Sequence, residues 1–551
     1  MASPAGAGGR DRILLAVAGL SLVLNTAGIG WGLPPSGYFA WDVDGIAPLQ
    51  PLVAAKRMFV DDWWNSGYYN KFPMGHFFLL MAAYAPYLGY LWLTGGLRDP
   101  SEVYPFGFSD PATALTVLSL IARSFSALMG VGIVILVYLI VRRAAGPLAA
   151  LFSALAVAFS PAFIFYAHTG NVDTPSIFWA TLALFALGRL VGGRCDVSNA
   201  VLLGGAVGMA AATKEQTLGL FLLLPLSALA LYTQHTRPAP RPPSAFLRAA
   251  ADRALLAGAT ACLATFVVAT HLIFNWEGNV ARLRWRLQKV HPTYGTEYPR
   301  SVEFSGLLDG LGQVAFYTWD ALNPALCVAG LVGLAVLPLR HRWARHFAIA
   351  LASYAGLTVA MLDYFRARFV MEVALVLALF AGPVLAAVWT AAPARRLLRV
   401  SIVLLGLYSF AYGAEIDYLL LHDARYGAEA WLQRGAPPGT TVEVYTGSVY
   451  LPRFPPGVTV DVRDFTAEEL ERLPARAPDL VVLTSVHYER LEPGSVGVEL
   501  LDRLLGGELG YRTVEVFRTA PVIAPRIIAA LSPEVVVLAR QADERRTLRT
   551  D

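Results

Sequence analysis

Long apolar runs separated by short polar stretches recur along the first three quarters of the chain. They lie near 13–31, 117–141, 147–166, 174–192, 199–213, 217–233, 254–274, 320–338, 346–362, 368–390 and 398–416. A hydrocarbon core about 30 Å thick is crossed by roughly 20 apolar helical residues, so the pattern predicts a polytopic α-helical membrane protein with about eleven spans. The first run follows Arg10 and Arg12 in the manner of a secretory signal. It is long enough to span and lacks a small-x-small cleavage site, so it reads as a retained anchor. Beyond about residue 417 the pattern changes. Short β-branched segments, TVEVYTG (441–447), GVTVDV (457–462), DLVVLTS (479–485) and TVEVFR (513–518), alternate with the helical spacing of AEELERL and VELLDRLLG. Bounded by Pro and Gly, they predict a small α/β domain outside the membrane. The expected division is therefore 1–416 in the membrane, with a long external loop at 32–75, and 417–551 in water.

Charge fixes the expected orientation. The chain has 551 residues, of which 56% are hydrophobic and 15% charged, with net charge +4 and mean hydropathy +0.51. Soluble domains carry roughly 25% charged residues, so lipid is the solvent for much of this chain. The arginines of 142–143, 194, 237–253, 340–345 and 395–399 fall in alternate loops. With the N-terminus in the cytoplasm, every one of these loops is cytoplasmic, as the positive-inside bias requires, and the C-terminal domain is extracytoplasmic at the cell membrane. A further apolar stretch, 75–96, would reverse that parity if it crossed; it is assigned to a helix lying at, or dipping into, the outer interface. Basic residues used this way give no nucleic-acid patch. Cys195, Cys262 and Cys327 have no metal-ligand spacing, and the C-terminal domain has no glycine-rich phosphate loop. No cofactor is expected, and no divalent metal is indicated.

Three places hold polar residues that a plain membrane scaffold does not need. The loop 32–75 carries Asp42, Asp44, Asp61, Asp62, Tyr69 and Lys71 among many aromatics, with His76 just after it. Asp44 opens an apolar segment, where a carboxylate serves equally as helix cap or as catalytic base. The turn YAHTGNVDTPSIFW holds His168, Asn171 and Asp173. Asp173, just before Thr174 and Pro175, is a candidate for an N-cap, for a substrate contact, or for both. The third place is basic on the side where few cations are expected: Arg366 and Arg368 in DYFRARF, and Arg282, Arg284, Arg286 and Lys289 in the loop after the seventh run. Lipid headgroups and a lipid-linked phosphate are both suitable partners, since arginine grips phosphate bidentately. Lys214 and Glu215, at a break between apolar helices, are placed to pair with each other.

In order along the chain these segments resemble the C-superfold membrane glycosyltransferases, in the branch of the protein O-mannosyltransferases and lipid A aminoarabinose transferases. The family's W-x-x-D-E stretch is matched by Trp41-Asp42-Val43-Asp44-Gly45, and its K-P-P-L-like stretch by Lys71-Phe72-Pro73-Met74. Gly45 stands where the family usually has glutamate. An arginine-led helix from Arg123 through Tyr138 to Arg142-Arg143 follows, then Ser160-Pro161, Tyr166 and Asp173, then a break from Gly208 to Lys214. The resemblance covers roughly residues 10–400. It implies transfer of a sugar from a polyprenyl-phosphate donor to an acceptor glycan, lipid or protein hydroxyl, by a single inverting displacement at the outer face. Asp44 would be the general base and Asp173 a positioning carboxylate. Lys71 with Arg366 and Arg368 would hold the donor phosphate, and Asp42, Tyr69, His76, His168 and Asn171 are candidate substrate contacts. The rival readings are a transporter or flippase of a lipid-linked substrate and a non-catalytic scaffold. The chain shows no internal repeat of the kind transporters carry, and its polar residues gather toward one face rather than at the midplane.

Overall fold

The structure is a computed structural model. It describes residues 7–35, 40–42, 45–61, 71–236, 252–290, 304–357, 366–391, 396–445, 448–463, 466–488, 491, 494–523, 528 and 531–541. Asp44, Asp62 and Tyr69 lie outside the described residues. The chain divides into two compact units. The first comprises Met1–Ile29, Gly45–Asp417 and Ile523–Ile527, and the second Gly30–Asp44, Tyr418–Val522 and Ile528–Asp551. Part of the loop expected to belong with the helices, Gly30–Asp44, thus groups with the C-terminal domain instead.

The first unit is helical. It begins with α1 (Ala7–Thr26), α2 (Leu49–Lys56), α3 (Gly75–Leu93), α4 (Pro111–Ala145), α5 (Pro147–Ala158), α6 (Pro161–Ala167), α7 (Asp173–Val191) and α8 (Val197–Thr213). Proline opens several of these because its missing N–H costs nothing in the first turn. Side chains of Asp110, Ser160 and Asp196 accept from the backbone N–H three residues on and start α4, α6 and α8. Among the described residues five helices are long and apolar enough to cross a membrane, or up to seven if two bent pairs each count as one span. Several candidate spans are present, and the described residues do not confirm the expected count of about eleven. The run 147–166 is α5 and α6, bent by 59° at Ser160-Pro161, and the run 320–338 turns through 114° between Leu308–Leu322 and Pro324–Arg340. The second corner is built on Asn323, whose φ of +74° suits asparagine. Its side chain accepts from Leu326 N–H and donates to Ser409 Oγ. Runs 199–213 and 254–274 become shorter apolar helices. In the stretch 75–96, assigned to the interface by parity, α3 (Gly75–Leu93) has the length and hydropathy of a span.

Small residues set the closest helix packing. A Cβ on Gly204 of α8 would lie 1.9 Å from the Gly258 carbonyl oxygen, and one on Gly208 would lie 2.6 Å from that of Cys262. Backbone thus meets backbone between α8 and the helix Arg253–Ala269, which is how small residues drive association in lipid, where apolar side chains gain nothing by leaving one apolar solvent for another.

The second unit is a five-stranded sheet with helices. Strands β1 (Thr441–Val444), β2 (Thr459–Val462), β3 (Leu480–Thr484), β4 (Tyr511–Phe517) and β5 (Val535–Arg540) lie in the order β2-β1-β3-β5-β4. β1 is parallel to β2 and β3, while β5 is antiparallel to β3 and β4. The four expected strand segments all appear. β5 was not read from the sequence, although its Val535–Leu538 run is buried at every position, the mark of a central strand. Two apolar clusters cover the sheet, one around Leu483, Leu504 and Leu538 and one around Ala428, Leu432, Val444 and Val537.

Candidate functional site

The polar residues of the first unit converge where α7 begins and α8 ends. Lys214 caps α8 in extended conformation, φ −154° and ψ 115°, and a 3-10 helix, Glu215–Phe221, follows. That break turns consecutive side chains in different directions. Lys214 does not pair with Glu215 as the sequence led us to expect. Its Nζ donates to Asp173 Oδ1 at 2.6 Å, in a pair only 6% and 4% exposed. Glu215 instead meets Arg282 Nε at 2.9 Å, and Arg282 also donates to Asn279 Oδ1. An arginine offered to lipid phosphate on sequence grounds is therefore held within the protein.

Asp173 is the first residue of α7 rather than its N-cap, a place that Val172 takes without a side-chain cap bond. Asn171 does the local work by accepting the Asp173 N–H at 3.0 Å. The Asp173 carboxylate, in a first helical turn where negative charge is favoured, is thus turned to Lys214. The Lys214 ammonium also lies 5.2 Å from the centre of the Phe369 ring, and the Arg368 guanidinium lies 4.9 Å from the same ring. Two cations on one aromatic ring concentrate positive potential. Beside them runs a network that sequence reading missed. Gln216 Nε2 donates to Tyr354 Oη at 2.5 Å. Tyr354 Oη is 3.0 Å from Glu372 Oε2 and 2.8 Å from the Phe369 carbonyl, and Thr217 Oγ1 donates to Glu372 Oε1. The available signal was Glu372 itself, a carboxylate opening the otherwise charge-free helix Met371–Ala391; an ionisable group at such a place is a functional candidate by default.

Not every expected site residue joins this cluster. His168 is fully buried, and its ring nitrogens face the carbonyls of Ile164 at 2.8 Å and Ala27 at 2.7 Å. Burial pushes its pKa down to about 4, against the pull of the two carbonyls. It braces a turn, with Asp417 Oδ1 3.7 Å from its Nε2. Lys71 sits 5.5 Å from the ring of its neighbour Phe72, and Arg366 is extended and half-buried ahead of the short 3-10 turn Ala367–Phe369. Asp42 is buried and belongs to the second unit. His76 is wholly buried, its ring 6.2 Å from that of Phe125. A Cβ on its neighbour Gly75 would lie 2.7 Å from the Ala212 carbonyl, so the first turn of α3 abuts the end of α8 beside Thr213 and Lys214. Both His76 ring nitrogens, Asn171 Nδ2, Thr174 Oγ1 and Thr213 Oγ1 are buried without a hydrogen-bond partner among the described residues. Buried polar groups rarely stay so.

A second feature adjoins this cluster. An apolar cavity of about 700 Å³ is lined by α8, the 3-10 helix and the helices Leu224–Thr236 and Arg253–Ala269, with Leu203, Val207, Leu218, Phe221, Leu229 and Phe266 among its walls. The 3-10 helix faces both features: Gln216 and Thr217 enter the polar network, and Leu218 and Phe221 line the cavity.

No curated protein matches the chain in sequence. Solved structures that superpose on it include the oligosaccharyltransferase of Archaeoglobus fulgidus, at 15% identity and TM-score 0.47, covering 89% of this chain and 71% of that one. ArnT of Cupriavidus metallidurans superposes at 15% identity and TM-score 0.40, over 97% and 99% of the two chains. The Pmt1-Pmt2 protein O-mannosyltransferase complex of S. cerevisiae does so at 17% identity and TM-score 0.35, over 49% and 34%. Residues 113–273, the stretch that carries Asn171, Asp173 and Lys214, match the profile of the dolichyl-phosphate-mannose-protein mannosyltransferase family.

Proposed function

We propose that this chain is a membrane glycosyltransferase that moves a sugar from a polyprenyl-phosphate donor to an acceptor hydroxyl at the outer membrane face, with inversion at the anomeric carbon. One observation carries the reading: a single short 3-10 helix joins a buried charged cluster to a lipid-wide apolar cavity. An amphiphilic donor needs that junction, with its tail among Leu203, Val207, Phe221 and Phe266 and its head beside Asp173, Lys214 and Arg368. Asn171 Nδ2, Thr174 Oγ1 and Thr213 Oγ1, without a hydrogen-bond partner among the described residues, offer donors and acceptors of the kind a hydroxyl-rich sugar satisfies. The family match over 113–273 supports the same chemistry.

In the proposed reaction the acceptor oxygen attacks the anomeric carbon as the phosphate leaves, and its proton passes to a carboxylate. Asp44 is the proposed base, from its place three residues after Trp41; Asp173 is the proposed positioning carboxylate, held by Lys214. Arg368, with Lys71 and Arg366, neutralises the leaving phosphate, where fixed charges in a partly dry site act strongly. The proposed partners are thus a lipid-linked sugar, an acceptor and the surrounding lipids, with no cofactor.

Incubating purified protein with radiolabelled polyprenyl-phosphate sugars and a membrane extract tests the activity directly. Asp44→Asn keeps size and removes basicity, so turnover should fall by roughly two to four orders of magnitude, while Asp42→Asn costs much less. Full activity in Asp44→Asn with none in Asp42→Asn would name the other aspartate. Label transfer by neither wild type nor any variant, with every donor tried, would end the transferase reading.

A further inference from the structure

Residues 30–35 and 40–42 meet the C-terminal domain through polar and stacking contacts made by side chains outside its apolar clusters. Helix Ala424–Gly435 buries Ala428 and Leu432 among the apolar residues of the sheet. Side chains at its start also reach the loop. Asp423, fully buried, accepts from the Trp31 indole N–H at 2.9 Å, from Ser532 N–H at 3.0 Å, and from the Arg425 backbone and guanidinium. Arg425 is also fully buried. It grips Asp423 with Nε and one Nη, donates the other Nη to the Val449 carbonyl at 2.7 Å, and places its guanidinium 4.0 Å from the ring centre of Trp41 and 5.3 Å from that of Trp31. The next residue contributes too: Tyr426 Oη accepts the Gly32 N–H at 3.0 Å, and its ring lies 4.9 Å from Trp41. Arg453, paired bidentately with Glu429, donates to the Leu33 carbonyl at 2.5 Å and lies 5.3 Å from the Trp41 ring. Gly32 completes the fit: its φ is +67°, and a Cβ there would lie 2.8 Å from Trp41.

Trp41 is the aromatic of the W-x-x-D motif, and the next residue is the buried carboxylate Asp42. A buried ion pair such as Asp423–Arg425 is a poor source of stability, because desolvating the charges offsets their attraction; its better-attested use is to fix one arrangement over others. We propose that the C-terminal domain is a positioning clamp for the first external loop, in which Arg425 and Arg453 hold Trp41 and with it the adjacent Asp42 carboxylate. The link to catalysis rests on the transferase reading above, whereas the clamp itself does not. Arg425 and Arg453 are positioning residues that act through Trp41.

The test uses the full-length protein with its three cysteines replaced and Ala40, which is 3% exposed beside Trp41, changed to cysteine. Arg453→Gln removes the fork that stacks on Trp41 and reaches Leu33, and Trp41→Phe keeps a stacking ring. Three measurements are made: the rate at which an impermeant maleimide labels position 40, the thermal transition of the sheet, and steady-state transfer. Arg453→Gln should speed labelling severalfold at an unchanged sheet transition, as a local opening does. It should lower kcat by roughly 10- to 100-fold with donor KM unchanged, and Trp41→Phe should retain most of both properties. Unchanged labelling in Arg453→Gln overturns the clamp. Faster labelling with unchanged kcat overturns the positioning role, and loss of the sheet transition returns Arg453 to the domain's structure. If the wild type transfers no sugar at all, the transferase reading fails, and the labelling result still decides for or against the clamp.

Discussion

Removing one partner of the Asp173–Lys214 pair should cost far more than removing both. The ammonium and carboxylate are 2.6 Å apart and almost wholly out of solvent. An exposed pair of this kind contributes about 0–1 kcal/mol. Here Lys214→Met leaves the Asp173 carboxylate uncompensated among apolar helices, and Asp173→Asn does the same to the ammonium; each should cost about 3–5 kcal/mol of unfolding free energy. In Lys214→Met the Asp173 carboxylate keeps the favourable field of the α7 N-terminus, about 0.3–1 kcal/mol, so Lys214→Met should be slightly the milder change. The double variant exchanges a buried ion pair for neutral groups of similar size, which is close to neutral in the best cases. A double-mutant cycle measured by unfolding in mixed micelles of rising SDS content should therefore give a coupling energy of about 2 kcal/mol or more. Single variants that each cost under about 0.5 kcal/mol, or a double variant equal to their sum, would refute the reasoning. Either result would mean that water or a neutral proton state already screens the pair.

Gly204→Leu should abolish correct packing of α8 on the helix Arg253–Ala269, because its Cβ would lie 1.9 Å from the Gly258 carbonyl; overpacking of this kind costs about 1–3 kcal/mol or more, and loss of the monodisperse peak in detergent checks it. Arg368→Ala, which takes one of the two cations from the Phe369 ring, and Lys71→Ala should each weaken donor binding and turnover together by about 2–5 kcal/mol of interaction. Unchanged kinetics in either would assign that side chain to lipid headgroups instead. For orientation, a single cysteine at position 440 on a cysteine-free background should react with an impermeant reagent from outside the cell. Labelling from the cytoplasmic side alone would reverse the proposed topology.

Much of the architecture was legible in the sequence. Lipid demands apolar helices of fixed length, and this demand is written in the runs themselves. The switch to β-branched alternation after about residue 417 likewise announced the sheet. What the runs could not reveal was where they bend. Ser160-Pro161 and Asn323-Pro324 sit inside sequences that read as continuous, and only the packing around them decides whether proline starts a new helix or kinks an old one. The candidate site divides in the same way. Asp173 and Asn171 drew attention because charge in a short turn beside apolar helices is costly wherever it goes. Sequence adjacency points Lys214 to Glu215, because adjacency is all that a sequence offers for pairing. The extended residue at the end of α8 sends it 41 positions back along the chain instead. Glu372 and Tyr354 meet only because two separate helices pack together, and Trp41 meets Arg425 across 384 positions. The sequence alone determined which segments prefer lipid, because transfer free energy is a local property of composition. Only the tertiary structure decided which charges share a dry space, because that depends on contacts between residues that no local pattern links.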